Sequence, residues 1–167
     1  DRLAREFPGR EKEILVMRLE SAYATIFRQA LFAAFEVQAH DMWARKCAPD
    51  EVLDAYLTRL RKHFGPEIEV PDCFRYEWLR IPHRLDSPFY LYSYPFGKLV
   101  AQHLHQEYRD GGAGVVFRIV DFLRKGASES PARALAPLGA DFCSPAFWEG
   151  CFRPVRRNLD RLKALMA

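Results

Sequence analysis

Residues 15–36 read Leu15-Val-Met-Arg-Leu-Glu-Ser-Ala-Tyr-Ala-Thr-Ile-Phe-Arg-Gln-Ala-Leu-Phe-Ala-Ala-Phe-Glu36, and their spacing decides the fold. Leu15, Leu19, Ala22, Ile26, Ala30 and Ala33 recur at steps of three and four, which is one face of a helix. Tyr23, Phe27, Leu31 and Phe35 lay a second apolar stripe beside the first. A helix with so wide an apolar surface is expected to be buried on more than one side. Between Gly9 and Lys46 there is neither proline nor a further glycine, so the spacing predicts helix throughout. At 1.5 Å per residue that helix would be roughly 50 Å long, more natural in a large enzyme than in a small domain.

Outward from this stretch the same period recurs. Pro49-Asp50-Glu51 opens a helix, with proline in the first turn and acids at the positive end of the dipole. Leu53, Tyr56, Leu57, Leu60 and Phe64 continue it until Gly65-Pro66. A loop through Val70-Pro71-Asp72 leads to a short apolar stretch from Phe74 to Ile81, and Pro82 and Pro88 bracket an irregular segment. A helical pattern resumes from Phe89 to Tyr108 despite Pro95 and Gly97. Gly111-Gly112 breaks it, and Val115 to Leu123 reads as an amphipathic helix that Gly126 stops. Ser130-Pro131 and Ser144-Pro145 are polar caps followed by proline at the first helical position. The second opens a final helix to Ala167, which Pro154 is expected to kink or split. No segment alternates with period two, and nothing repeats. The expected class is all-α, with residues 1–167 as a single helical domain.

Composition narrows the function. With 49% hydrophobic and 28% charged residues the chain is an ordinary globular protein, not a disordered one. A net charge of +3 is too small to imply a nucleic-acid partner. The basic C-terminal residues Arg153, Arg156, Arg157, Arg161 and Lys163 interleave with Asp160 and Leu162 and read as a solvated amphipathic face. Cys47, Cys73, Cys143 and Cys151 form no C-x-x-C pair, so buried free thiols in a reducing cytoplasm are expected. No apolar run is long enough to cross a bilayer. The chain opens at Asp1 without an initiator methionine, which fits a piece of something longer.

Histidines and tyrosines carry the candidate chemistry. No H-E-x-x-H occurs. His103 and His105 are two apart and point to nearly opposite sides of a helix, so they do not share one ion easily. His103 with Glu107 has an allowed spacing, but a solvated helix face is the plainer reading. His40 and His63 read as surface or satisfied-core residues. His83 follows Pro82 and precedes Tyr90, Tyr92 and Tyr94 in Phe89-Tyr-Leu-Tyr-Ser-Tyr-Pro-Phe-Gly97. Imidazole and phenol are neutral donors at pH 7, and a loop before a helix can aim several at a developing oxyanion. The alternative is that these rings pack a core with their hydroxyls bonded to backbone. Three tyrosines at spacing two cannot all face one core on a helix.

At the level of motifs the chain resembles oligoendopeptidase F. Ile26-Phe-Arg-Gln-Ala-Leu-Phe-Ala-Ala-Phe-Glu36 is similar to the helix following that family's zinc site. Trp78-Leu-Arg-Ile-Pro-His83 and Ser87-Pro-Phe-Tyr-Leu-Tyr-Ser-Tyr-Pro-Phe-Gly97 resemble its substrate-facing His and Tyr segment. Gly126-Ala-Ser-Glu-Ser-Pro131 and Leu138-Gly-Ala-Asp-Phe-Cys-Ser-Pro145 are similar to its closing helical hairpins. The resemblance implies the C-terminal portion of a zincin-like helical oligopeptidase of the thimet type, cytoplasmic and cutting short peptides in a deep channel. In that family an H-E-x-x-H helix and a glutamate on the next helix hold one zinc, whose water attacks the scissile carbonyl. Those ligands match nothing here and are expected upstream of Asp1, so this chain alone is expected to hold no zinc and to be inactive. The resemblance further implies that His83 and Tyr92 bind the substrate carbonyl as it becomes an oxyanion, with Tyr90 and Tyr94 contacting substrate. Arg84-Leu85-Asp86 and Pro95 depart from the family's pattern, which bears on subfamily and cleavage preference. The competing function is a non-enzymatic helical interaction domain whose aromatic segment is core.

Overall fold

A computed structural model describes residues 6–82 and 86–167, the side chain of Pro8 excepted. His83, Arg84 and Leu85 lie outside the described residues. Among the described residues the secondary structure is helical, with no strand. The all-α reading holds. Contacts gather the chain into two compact units, one made of the residues up to Ala22 with Phe96–Ala167, the other of Tyr23–Pro95.

The first unit opens with a single 3-10 turn, Pro8–Arg10, and helix α1, Glu11–Ala22. Its other elements are α4 (Ser93–Gly111, entering from the second unit), α5 (Ala113–Lys125), α6 (Pro131–Leu135), a 3-10 turn at Ala136–Leu138 and α7 (Pro145–Met166). Helices α1 and α7 pack together, and Arg161 grips Glu11 with two parallel bonds of 2.8 and 2.9 Å. Helix α7 runs unbroken through Pro154, so the expected split does not occur. Proline removes one intrahelical bond, and packing along α1 outweighs that loss. A small core forms from Val100, Val115, Leu135, Leu138 and Ala140. Ser130 caps α6 by accepting from the Arg133 N–H at 3.5 Å. Ser144 makes no such cap bond at α7. His103 is not on a solvated face: its Nε2 meets the Leu138 carbonyl at 2.6 Å and ties α4 to the turn after α6.

The second unit holds the continuation of the deciding stretch, and there the prediction needs correction. Tyr23–Arg28 is a π-helical turn, and α-helix resumes as α2, Gln29–Ala44. A π turn inserts a residue into the i→i−4 ladder and shifts the side chains after it around the axis. Leu31, Phe32, Phe35 and Ala39 consequently face the core, while Tyr23 and Phe27 of the expected second stripe stay exposed. Helix α3, Pro49–Phe64, packs on α2 and is stopped by Gly65, whose φ of +77° suits glycine. The Glu51 side chain accepts from the Ala48 N–H at 2.7 Å, half of a capping box. The apolar stretch predicted from Phe74 to Ile81 is a 3-10 helix, Asp72–Arg80, packed on α3. The core comprises Phe35, Tyr56, Leu60, Trp78 and Leu91 with their neighbours. All four cysteines are free, but Cys73 and Cys143 are exposed and only Cys151 is buried, a correction to the expectation of buried thiols.

Beside the π turn the Tyr23 hydroxyl meets His63 Nε2 at 3.1 Å. Burial, and then the Arg28 charge, hold the His63 imidazole below its ordinary value of 6.5. As pH falls, the unfolded chain therefore takes up this proton before the folded one does. Stability is unaffected above the ordinary value and is lost as pH drops from there through the lowered folded value. Melting temperature should thus decline as pH falls below the ordinary value of 6.5, and His63→Gln should flatten that part of the profile. An unchanged slope in the variant would contradict this assignment.

Candidate active site

Helix α4 does not begin at Phe89, as the periodicity predicts, but at Ser93. The reason is Phe89 itself, whose φ of +61° lies in the left-handed region and is incompatible with a right-handed helix. From Ser87 the chain descends through successive turns, Tyr90 N–H to Ser87 O at 3.2 Å and Ser93 N–H to Tyr90 O at 3.0 Å. Pro95 then falls in the first turn of α4, where its missing N–H has no intrahelical partner to lose.

These turns set the tyrosines. Leu91 is wholly buried among the residues of the second unit's core. Tyr90 and Tyr92, on either side of it, are 49% and 60% exposed, and Tyr94 is 37% exposed. Leu91 is the core residue of this segment, and its neighbouring phenols are left at the surface. The alternative in which the three rings fill a core is therefore corrected. Tyr90 and Tyr94 are drawn together, their ring centroids 5.5 Å apart in a T-shaped arrangement. Tyr92 stands in the turn immediately before α4, and no hydroxyl bond of Tyr90 or Tyr92 is present among the described residues. His83 lies outside the described residues, so its distance from the phenols is not part of this geometry.

Two further polar groups of the second unit were passed over by sequence reasoning. Glu36 on α2 is 1% exposed and accepts a 2.9 Å bond from the Phe89 N–H. The signal was legible: Glu36 continues the buried positions Phe32, Phe35 and Ala39 at helical spacing. The other group is a network around Glu77. One carboxylate oxygen accepts from Arg28 at 2.6 Å and the second from the Tyr56 hydroxyl at 2.5 Å. Burial opposes the Arg28 charge, but the Glu77 bond and charge outweigh it and raise its affinity for the proton. Burial, chiefly, also pushes the Tyr56 phenol well above its ordinary value, so it remains a donor. Arg28, Gln29, Phe32, Glu77, Arg80 and Pro82 line an open cleft of about 530 Å³, immediately before His83 in the chain.

Among the described residues no three His, Cys, Asp or Glu side chains are grouped so as to hold a metal ion. A zinc site does not fit the described residues, and no step through zinc can be built from them. Among the same residues no helix is long and apolar enough to cross a membrane.

Comparison with known proteins establishes the class. The sequence profile of peptidase family M3 matches residues 8–153, and the chain belongs to that family. Among curated relatives, oligopeptidase PepF of Bacillus subtilis is 32% identical over 155 residues, covering 92% of this chain and 23% of that protein. An oligoendopeptidase F homolog of Borreliella burgdorferi is 29% identical over 156 residues, covering 92% and 26%. A crystal structure from Chlamydophila abortus, of a protein assigned as a peptidase, superposes with a TM-score of 0.78 at 27% identity, over 91% of this chain and 26% of that one. The chain thus spans about a quarter of the length of the relatives it matches.

Proposed function

We propose that this chain is the C-terminal portion of a zinc-dependent, cytoplasmic oligoendopeptidase, hydrolysing short peptides, and that it supplies substrate-binding and oxyanion-binding residues. The observation that carries the reading is the exposure of Tyr90 and Tyr92 on either side of the fully buried Leu91. A buried anchor between two exposed phenols fixes donors at a surface while leaving them free to meet a ligand. Tyr92 donates its hydroxyl to the substrate carbonyl oxygen as negative charge develops there, and His83 is the second donor. Tyr90 and Tyr94 contact the peptide, and the cleft that ends at Pro82 offers Arg80 to its main chain. Family membership and the named relatives support peptide hydrolysis as the chemistry. Both compact units then belong to one catalytic domain, with zinc held by residues that precede this segment in a longer polypeptide. No step assigned to the present residues passes through the metal.

The test is turnover of a quenched fluorescent peptide. The longer polypeptide is expected to hydrolyse it, with activity lost to a chelator and regained with zinc. The 167-residue chain alone is expected to give neither turnover nor stoichiometric zinc after dialysis. Chelator-sensitive hydrolysis by this chain alone would overturn the division of labour. A longer polypeptide that is folded yet inert towards peptides would favour the helical interaction domain.

A further inference from the structure

Glu36 is the one buried charged side chain among the described residues, and the core around it gives no reason for a charge. Its Oε1 accepts from the Phe89 N–H at 2.9 Å across 53 positions of sequence, while its Oε2 is buried with no hydrogen-bond partner. Half of the carboxylate is therefore left unsatisfied, which an apolar residue of similar size would avoid. The bond reaches the backbone at the residue with φ of +61°, a conformation that a phenylalanine keeps only when its surroundings impose it. One turn further along α2, His40 meets the Phe89 ring in a tilted arrangement, with 4.5 Å between centroids. Helix α2 thus holds Phe89 by its N–H and by its ring. Beyond Phe89 come Tyr90, the buried Leu91 and Tyr92.

We propose that Glu36 is a positioning residue that, through the N–H of Phe89 and with the support of His40, sets where Tyr90 and Tyr92 stand. The proposal rests on the reading that these tyrosines bind substrate. A charged acceptor holds an amide more tightly than a neutral one, and a fixed left-handed residue fixes the direction in which the chain leaves it. Misplacing a substrate-binding group by about 1 Å can cost on the order of 100-fold in rate.

The experiment uses the longer polypeptide and the quenched peptide, with Glu36→Gln, Glu36→Leu and His40→Ala, each also combined with Tyr92→Phe. Glutamine keeps an acceptor oxygen, so kcat should stay within about threefold. Leucine removes the acceptor and should lower kcat by roughly 10- to 100-fold through Tyr92, with a rise in KM through the displaced Tyr90. His40 is exposed, so His40→Ala should fold and lose about three- to tenfold in kcat. A residue acting through Tyr92 loses most of its effect once the Tyr92 hydroxyl is gone, so the double variants should fall little below Tyr92→Phe alone. Losses that multiply in the double variants would overturn the proposal. Should Glu36→Leu fail to fold, His40→Ala and Glu36→Gln decide: full kcat for the first, or a loss in the second as large as expected for leucine, overturns it. Amide exchange at Phe89, measured by NMR in the 167-residue chain, separates this proposal from the reading beneath it. An unprotected Phe89 amide sinks the Glu36 bond whatever the tyrosines do. A protected amide with full kcat in Tyr92→Phe and Tyr90→Phe removes the substrate-binding reading, and with it the purpose assigned to Glu36.

Discussion

Replacing Phe35 with alanine is expected to destabilise the chain by about 3–5 kcal/mol. Phe35 is fully buried, and its ring lies edge-on to Tyr56 at 4.9 Å and to Trp78 at 5.4 Å. Alanine removes the transfer energy of the ring and leaves a void walled by side chains that other contacts hold in place. Tyr56 is fixed by its bond to Glu77, so it cannot fall inward without losing that partner. Phe35→Leu keeps most of the volume and should cost much less, on the order of 1 kcal/mol. The melting temperature of the alanine variant should drop by on the order of 10 °C, with red-shifted emission from Trp78. An alanine variant that melts with the unaltered chain would mean that this cluster is not the core of its unit.

The stretch around Phe35 also shows where sequence reasoning reaches and where it stops. Helical spacing alone placed Leu31, Phe35, Leu57 and Leu60 in apolar faces, and each is buried. Gly65, Gly112 and Gly126 punctuate helices as expected because a positive φ is cheap only for glycine. The π turn at Tyr23–Arg28 left no such mark, since one inserted residue shifts a hydrogen-bond register without needing any particular side chain. Phe89 misled for a related reason. Its N–H bonds to Glu36 and its ring meets His40, both on α2, and a local pattern carries no record of contacts 53 and 49 residues away. The split that Pro154 could have caused does not occur, because α7 packs on α1 on past the proline. For the candidate site, the residues themselves singled out the tyrosines and the resemblance assigned their roles, whereas only the burial of Leu91 explains why they face outward. His83 lies outside the described residues and remains a proposal.

In the longer polypeptide, Tyr92→Phe should lower kcat by about 100- to 1,000-fold while KM changes little. The phenol is a neutral donor, and its bond to a carbonyl oxygen strengthens as that oxygen gains negative charge. Binding that grows on the way to the transition state appears in kcat, whereas uniform binding appears in KM. The substitution deletes one hydroxyl and keeps a ring that is 60% exposed, so it should scarcely change the melting temperature. That pairing is the useful part of the test. A tyrosine whose hydroxyl served the fold would cost stability, about 1–3 kcal/mol, and leave turnover nearly intact. Tyr90→Phe and Tyr94→Phe fix the register among the three phenols, because the donor to the oxyanion should show the kcat loss and the peptide contacts mainly a rise in KM. His83→Ala should resemble Tyr92→Phe if both donate to the same oxygen, and the double variant should then lose less than the product of the two. Near-normal kcat in all three tyrosine variants and in His83→Ala would remove this segment from the chemistry.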